Sequence, residues 1–250
     1  MKTITSRQNE EIKQVSALHV PKGREEQRKF LAEGIRAITT FMDNGFKPVQ
    51  LYVTQPNVKH AQNLTTNHFI TLVEDHVMEK LSTLTSPSGF VGVFEIPKQE
   101  PLSALTGGLV MTKIADPGNM GSLIRSCAAF GVKTVVTVEG ADVWSPKVVQ
   151  ASAGTLALVN IFDTNWKDLI RYKKDLKLCA LVVEGGKKPA HTSLQNILLV
   201  VGNEAQGIPQ EWLAECEETM TVTMPGQVES LNAAVAGSIA LYLAFVNTVN

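Results

Sequence analysis

The chain has 250 residues, a length that allows either one large domain or two smaller ones. With 44% hydrophobic and 19% charged residues, its composition is typical of globular proteins and excludes disorder, collagen and a disulfide scaffold. The formal net charge of −1 gives no global attraction for a polyanion, so any nucleic-acid surface must be a local patch.

The first part of the chain has an alternating α+β pattern. It begins with two predicted helical stretches, after which strands and one further helix alternate. These elements are helices Asn9–Leu18, Arg24–Gly45 and His76–Leu81 and strands Val49–Thr54, Phe69–Val73 and Gly89–Ile96. Segment Pro97–Gly108 contains two prolines and two glycines and has little periodicity. We therefore predict a first domain over residues 1–97 and a linker over residues 98–108.

The second predicted domain, residues 109–250, has a more regular rhythm. Apolar, β-rich runs alternate with helical stretches, which is typical of a parallel sheet that is covered on both faces. The strands are Leu109–Ala115, Thr134–Val138, Leu178–Val183 and Ile197–Val201, and the helices are Asn119–Phe130, Asn165–Lys174, Pro209–Cys216 and Leu231–Val249. The pattern predicts a three-layer α/β domain.

The cysteines and the apolar runs indicate the compartment. Cys127, Cys179 and Cys216 are far apart and form no metal-binding pattern, which favours a reducing cytoplasm and predicts no metal site. The polar run Ser6–Glu11 stands where a signal peptide would be apolar. Ala233–Val246 is shorter than the roughly 18 residues of a membrane span. We expect a cytoplasmic protein that does not span a membrane.

Three loops of the second domain carry polar residues where ligands bind in parallel sheets, beyond the carboxyl ends of strands. Asn119 follows the first strand and is a candidate helix cap, and Arg125 lies off the apolar side of the predicted helix. Glu204 lies in the glycine-rich turn after strand Ile197–Val201. Ser230 and Asn232 are candidate caps of the last helix. Taken singly, each of these features also fits a structural turn or a solvated side chain.

Together these stretches resemble the three motifs of the SpoU (TrmH-like) branch of SPOUT-class RNA ribose 2′-O-methyltransferases. The resembling segments are Asp116–Gly131, Leu199–Gly207, and Met224–Gly226 with Ser230–Asn232. Lys147–Gly154 is similar to a further signature of this family, with Gln150 where a basic residue is expected. In the N-terminal part, Ser6–Asn9, Ile12–Lys13 and Phe30–Gly34 resemble the ribosomal-protein-L30e-like substrate-binding domain of many such enzymes.

The resemblance implies a fold, a donor and an assembly. The fold would be an L30e-like α/β domain followed by a SPOUT α/β domain with a mostly parallel sheet and a deep C-terminal trefoil knot. S-adenosylmethionine would be the methyl donor, and the enzyme would be a homodimer. Knots are essentially absent from other folds, so the threading is expected from the resemblance alone.

The resemblance also implies roles for individual residues. The residues with implied catalytic or substrate-orienting roles are Arg125, Asn119, Glu204, Ser230 and Asn232. The residues implied to bind the methyl donor are Gly202, Glu204, Val222, Met224, Gly226, Leu231 and Asn232. By analogy Arg125 would hold an RNA phosphate and assist removal of the 2′-hydroxyl proton. A free arginine stays protonated, so its orienting role is the stronger expectation.

The N-terminal region carries the basic excess of the chain. Residues 1–36 contain eight lysines and arginines against five glutamates. We expect RNA contacts from Arg7, Lys13, Arg24, Arg28, Lys29 and Arg36, in addition to Arg125. The alternative interpretation is a solvated helical surface of paired charges, because Glu25, Glu26 and Glu33 lie among the basic residues.

Ribosomal RNA is favoured as the substrate by the L30e-like domain, and 23S ribosomal RNA is the expected target. Three alternatives remain open at this point. The first is a transfer-RNA methyltransferase of the same branch, and the second is a non-catalytic RNA-binding homologue. The third is a nicotinamide-dependent enzyme, although Asp116–Asn119 does not supply the glycine-rich turn that a dinucleotide site requires.

Overall fold

The computed structural model describes residues 1–188, 196–226 and 229–246. Its contacts divide the chain into two compact units. The first unit comprises Met1–Pro97 and Asp142–Ala157, and the second comprises Lys98–Ala141 and Leu158–Asn250. Segment Asp142–Ala157 therefore lies with the first unit, although the sequence pattern assigns it to the second domain.

A mixed five-stranded sheet forms the centre of the first unit. Its strand order is β1-β4-β3-β5-β2; β1, β4 and β3 are parallel neighbours, and β5 runs antiparallel to both β3 and β2. The strands are β1 (Lys2–Ile4), β2 (Lys29–Glu33), β3 (Pro48–Val53), β4 (Ile70–Val73) and β5 (Phe90–Glu95). The helices are α1 (Glu10–Ser16), α2 (Pro21–Gln27), α3 (Ile35–Asp43), α4 (Val58–Leu64), α5 (Asp75–Leu81) and, in the returning segment, α7 (Pro146–Ala151).

The predicted helix Arg24–Gly45 is wrong, because strand β2 interrupts it. Arg28 and Gly34 have φ angles of 53° and 85°, which no helix interior adopts, and they separate β2 from the helices on either side. Phe30, Leu31 and Ala32 are buried in the sheet, where β2 pairs with β5. Tertiary pairing with a distant strand overrides the local helical pattern here.

Segment Asp142–Ala157 joins the first unit through an aromatic contact and a buried ion pair. The Trp144 ring lies 4.7 Å from that of Phe30, measured between centroids. The Arg24 guanidinium is 3% exposed and lies 2.6 Å from a carboxylate oxygen of Asp142. It also donates to the carbonyl of Leu18 over 2.6 Å. These apolar and charged partners of the segment all lie in the first unit.

The second unit is built on a six-stranded parallel sheet with the order β11-β9-β10-β6-β7-β8. Its strands are β6 (Gly108–Thr112), β7 (Thr134–Val138), β8 (Asn160–Thr164), β9 (Lys177–Leu181), β10 (Ile197–Val201) and β11 (Glu218–Met220). Its helices are α6 (Pro117–Ala129), α8 (Trp166–Tyr172), α9 (Gln210–Leu213) and α10 (Ala233–Val246).

Helices cover both faces of this sheet, which confirms the predicted three-layer α/β architecture. On one face, Trp166 of α8 and Trp212 of α9 pack with Val110, Val136 and Val200. On the other face, α10 packs closely on α6: a Cβ atom placed on Gly237 would lie 2.6 Å from Leu123 and 3.2 Å from Val201. The trefoil knot stays a prediction.

Two strands and one cap of this unit differ from the sequence expectation. The edge strands β8 and β11 were not predicted, because they are short and partly polar. Asp116, rather than Asn119, caps α6: its side chain accepts from the Asn119 backbone N–H over 2.8 Å. Asn232 does cap α10, with Oδ1 accepting from the N–H groups of Ala234 and Val235. The end of the predicted helix, residues 247–249, lies outside the described residues.

The buried Arg24 ion pair predicts a large loss of stability when the guanidinium is removed. Arg24→Ala leaves Asp142 without its partner and removes the hydrogen-bond donor to the Leu18 carbonyl. Because Asp142 is partly exposed and can rehydrate, we expect a loss of about 3 kcal/mol in the free energy of unfolding, the low end for a broken buried pair. Chemical denaturation measures it, with Lys22→Ala in the same helix as the exposed control. A loss within about 0.5 kcal/mol, the range of ordinary surface substitutions, would show that the ion pair does not stabilise the first unit.

Candidate active site

The candidate site lies in the second unit, at the carboxyl ends of neighbouring parallel strands. β6 and β10 pair in register, with Met111 opposite Val201. Each strand is followed at once by one of the polar segments singled out in the sequence. The chain after β6 enters α6, and the chain after β10 forms the turn Gly202–Gly207. Parallel pairing therefore brings two distant segments together, as open α/β sheets do at ligand sites.

The side chain of Asn119 joins these segments to the start of α10. Its Nδ2 donates to Glu204 Oε1 over 2.6 Å, and its Oδ1 accepts from Asn232 Nδ2 over 2.9 Å. One amide thus uses its donor and its acceptor on two different loops. The structure brings together three residues for which the resemblance implied a catalytic role.

The turn after β10 is shaped by Asn203. Its Oδ1 accepts from the backbone N–H groups of Ala205 and Gln206, over 2.9 and 3.1 Å. Its own backbone exchanges two hydrogen bonds with Gly207. A Cβ atom on Gly202 would lie 2.4 Å from the Gly207 carbonyl carbon, so only glycine allows this close backbone approach. Glu204 is presented from a closed, internally bonded turn.

A pocket of about 440 Å³ opens beside this turn, within the range of about 300 to 1,000 Å³ typical of small-molecule sites. Its walls come from the end of β9, the turn after β10 and the two segments around residues 222–224 and 229–236. The lining includes Leu181, Val183, Gly202, Glu204, Val222, Met224, Glu229, Ser230 and Leu231. Apolar side chains therefore face carboxylates and backbone groups across one cavity.

This lining fits S-adenosylmethionine. The adenine ring of that molecule requires apolar walls, which Val222, Met224 and Leu231 supply, and its polar groups require backbone donors and acceptors. Glu204 and Glu229 place carboxylates in a pocket that would receive a positively charged sulfonium group. Five of the predicted donor-binding residues line the pocket: Gly202, Glu204, Val222, Met224 and Leu231.

Of the remaining predicted residues of this unit, only Ser230 lines the pocket. Asn232 reaches the site through Asn119, and Gly226 is exposed on the same segment as Met224. Ser230 is exposed and lines the pocket. Arg125 is exposed on α6, and within the described residues it has no hydrogen-bond or ion-pair partner. Its guanidinium is available to a ligand from outside.

The predicted RNA-contacting residues of the first unit fall into three groups. The prediction that Arg24 contacts RNA is wrong. Arg24 is buried and bonded to Asp142, so it cannot reach an RNA phosphate. Arg7 and Lys13 form the second group, because each has a carboxylate partner. Arg7 pairs with Glu79, and Lys13 lies 3.4 Å from Glu10.

The third group is without such partners. Arg28, Lys29 and Arg36 have no side-chain hydrogen bond or ion pair among the residues that the structure describes. Arg28 and Arg36 are exposed, and Lys29 is half-buried. We call Arg28, Lys29 and Arg36 the unpaired basic set.

Sequence reasoning missed three contributions to the site. Asn203 stands inside the second motif, but no role followed from its type until its bonds to the turn were seen. Glu229 lies beside the predicted cap Ser230. Leu181–Val183 lie at the end of β9, the parallel neighbour of β10, so the general rule on strand carboxyl ends could have found them.

Burial makes the three cysteine thiols weak acids. Burial raises the pKa of the Cys179 thiol to about 11 and that of Cys216 to about 12, and it raises the pKa of Cys127 still further. All three thiols are therefore protonated near neutral pH. Over residues 1–188, 196–226 and 229–246, no cluster of metal-ligating side chains occurs. Within the same ranges, none of the helices combines the length and the apolar composition of a membrane span.

Comparison with known proteins decides the family. Residues 108–242 match the SpoU rRNA methylase family, and residues 9–92 match the MRM3-like substrate binding domain. The chain belongs to the SpoU rRNA methylase family. This assignment confirms the recognition made from the three motifs, and the second match confirms a substrate-binding domain ahead of the SpoU domain.

Relatives of this SpoU enzyme align along most of its length. It is 27% identical over 255 residues to the 23S rRNA (guanosine(2553)-2′-O)-methyltransferase RlmP of Bacillus subtilis, covering 97% of this chain and 98% of that protein. It is 29% identical over 234 residues to the 23S rRNA (uridine(2479)-2′-O)-methyltransferase of Streptomyces viridochromogenes, covering 86% and 81%.

A solved structure supports the same assignment. The AdoMet-bound rRNA methyltransferase from Sinorhizobium meliloti superimposes with a TM-score of 0.88 at 28% identity, covering 100% of this chain and 99% of that chain. The comparisons confirm the predicted RNA (ribose-2′-O)-methyltransferase and its donor, S-adenosylmethionine.

Proposed function

We propose that this SpoU enzyme methylates a ribose 2′-hydroxyl of 23S ribosomal RNA. The observation that carries the proposal is the Asn119–Glu204–Asn232 network at the edge of the donor pocket. Two relatives that align with most of the chain are named as 23S rRNA 2′-O-methyltransferases, which favours ribosomal over transfer RNA. A non-catalytic homologue would have no need of these polar groups in an intact network.

The chemistry requires positioning and removal of one proton. S-adenosylmethionine supplies an activated methyl group on a sulfonium, so the protein must orient the ribose and assist loss of the hydroxyl proton. The Glu204 carboxylate is fixed by Asn119 at the pocket. Arg125, exposed on the same helix as Asn119, is suited to bind an RNA phosphate and to stabilise the developing alkoxide by its charge.

Mapping ribose methylation tests the proposed substrate. Total RNA from cells with and without the protein is compared at nucleotide resolution. We expect one 2′-O-methylated position of 23S ribosomal RNA to disappear and to return when the wild-type protein is restored. Loss of a position in transfer RNA, or no loss at all, would contradict the proposal.

Arg125 is predicted to act in the reaction and not in folding. Arg125→Ala should lower the single-turnover rate of methyl transfer by about 10² to 10³-fold, as for one preorganised catalytic group. Affinity for S-adenosylhomocysteine and the melting temperature should stay unchanged, because the side chain is exposed and away from the pocket lining. Arg125→Lys keeps the charge but loses the planar fork, so it should rescue little if phosphate is bound by two parallel hydrogen bonds. A folded Arg125→Ala enzyme with a rate within about threefold of wild type would show that Arg125 is a surface residue without a role in the reaction.

We propose that the unpaired basic set binds RNA phosphates. These cations have no competing carboxylate among the described residues, whereas Arg7 and Lys13 are already paired. Neutralising Arg28, Lys29 and Arg36 to Gln should weaken RNA binding and reduce the slope of log affinity against log salt by about two to three units. The matched control neutralises the paired residues Arg7, Lys13 and Lys22, of which Lys22 lies 3.8 Å from Glu26.

Filter binding at several salt concentrations measures both effects. The control set should change affinity and slope by less than half as much as the unpaired set. Equal losses from the two sets would contradict a specific role for the unpaired residues. Point variants are preferred to deletion of residues 1–97, since that deletion would leave segment Asp142–Ala157 without its partners in the first unit.

We propose that the enzyme is a homodimer. Helix α10 exposes Val235 and Tyr242, which are 47% and 49% exposed and lie seven residues apart on one side of the helix. The Phe130 ring lies 5.7 Å from that of Tyr242 and extends this apolar face. Exposed apolar patches of this kind favour a protein partner, and a second copy is the simplest one.

The apolar face of α10 predicts how the dimer can be broken. Val235→Lys combined with Tyr242→Lys should produce a monomeric mass in light scattering. Association of two such copies would bury the lysine charges in the interface. Val20→Lys, at a residue of the first unit that is 54% exposed, is the control and should leave the mass unchanged. A monomeric wild-type protein at micromolar concentration would refute the proposal. We also propose a cytoplasmic location, which the expected RNA substrate and the three free cysteines support.

A further inference from the structure

Lys113 has an unusual backbone conformation at the edge of the active site. It is the first residue after β6, and its φ angle is 53°, in the left-handed region. Residues with a Cβ atom are disfavoured there, and glycine is the usual choice. Surrounding contacts must therefore hold Lys113 in place.

Three contacts fix Lys113, two of them through its side chain. Its backbone N–H donates to the carbonyl of Val138 over 2.8 Å. Its Nζ lies 3.5 Å from a carboxylate oxygen of Glu139 and 4.8 Å from the centroid of the Trp212 ring. An ammonium group over an indole is a favourable cation–π arrangement.

Trp212 is a rigid platform for this ammonium group. Its ring stacks on that of Trp166, with centroids 4.8 Å apart and planes 6° from parallel. Trp166 in turn donates its ring N–H to Glu215. Both indoles are less than one tenth exposed, so the position of the Lys113 side chain is set by the packed layer beneath the sheet.

The backbone carbonyl of Lys113 bonds to the turn that borders the donor pocket. It accepts from Asn203 Nδ2 over 2.9 Å. This bond orients the Asn203 amide, whose oxygen holds the N–H groups of Ala205 and Gln206. Glu204 lies in the chain between Asn203 and these two residues, and its carboxylate accepts a hydrogen bond from Asn119. One hydrogen bond thus joins the left-handed residue Lys113 to the turn that lines the pocket.

We infer that Lys113 is a positioning residue for methyl transfer, in which the Trp212 contact holds a left-handed backbone whose carbonyl sets the Asn203 turn and the Glu204 carboxylate. The effect of Lys113 on methyl transfer rests on the proposed function. The structural part, the control of the turn by Lys113, stands on the contacts alone. Sequence motifs do not point to this lysine, since it precedes the first motif.

Three substitutions of Lys113 separate the backbone role from a role of the charge. Lys113→Ala loses the Trp212 and Glu139 contacts and keeps the left-handed penalty. Lys113→Gly loses the same contacts but adopts the left-handed conformation freely. Lys113→Arg keeps a cation over the indole. Glu139→Gln is the matched control, because it removes the ion pair and leaves the Trp212 contact.

Two measurements on the full-length protein report the outcome. Titration calorimetry gives the Kd of S-adenosylhomocysteine, and hydrogen exchange followed by mass spectrometry reports the peptide that contains residues 203–207. We expect Lys113→Ala to raise Kd about fivefold or more and to speed exchange in that peptide. Lys113→Gly should be impaired less than Lys113→Ala, and Lys113→Arg and Glu139→Gln should stay within about twofold of wild type.

Two results would overturn the inference. One is a Lys113→Ala protein with Kd and exchange within about twofold of wild type, a change too small for a lost cation–π contact. The other is a Lys113→Gly protein impaired as much as or more than Lys113→Ala, which would assign the effect to the charge. The ranking of the variants by hydrogen-exchange rate in the peptide of residues 203–207 tests the positioning role without any ligand. If the wild-type protein fails to bind S-adenosylhomocysteine, that failure refutes the proposed function and not the positioning role.

Discussion

The candidate active site depends on one side-chain amide that bonds to two other loops at once. Asn119 donates to Glu204 and accepts from Asn232, residues that lie 85 and 113 positions further along the chain. A carboxylate in place of the amide could not donate, and a hydroxyl could not span both partners in this geometry. The network therefore requires an amide at position 119. It also requires that α6, the turn after β10 and the start of α10 keep their relative positions.

The parallel sheet makes this convergence possible. β6 and β10 are neighbours although almost ninety residues separate them, so their carboxyl ends deliver two loops to the same edge. Gly202 permits the backbone of the turn to close on Gly207, and Asn203 holds the closed turn to the carbonyl of Lys113. The packed tryptophans on one face of the sheet and the hydrogen bonds at its carboxyl edge thus act on the same loop. The stability of the second unit is therefore linked to the shape of the pocket beside that loop.

The strongest motifs were predictable from the sequence because local chemistry determines them. A polar turn after a buried strand identifies the segments around Asn119 and Glu204 without any long-range information. Strand β2 and the burial of Arg24 were not predictable, since both depend on partners more than fifty residues away. The same is true of Asn203 and Lys113, whose roles lie in hydrogen-bond geometry and in one φ angle. Residue type alone gives no sign of either.

A double-mutant cycle on Asn119 and Asn232 tests the central claim most directly. The free energy of S-adenosylhomocysteine binding is measured by calorimetry for wild type, Asn119→Ala, Asn232→Ala and the double variant. If the two amides act as one network, their effects are coupled by about 1 kcal/mol or more, as for residues in direct contact. Additivity within about 0.3 kcal/mol, which is typical of independent sites, would contradict the claim that Asn119 holds the site together.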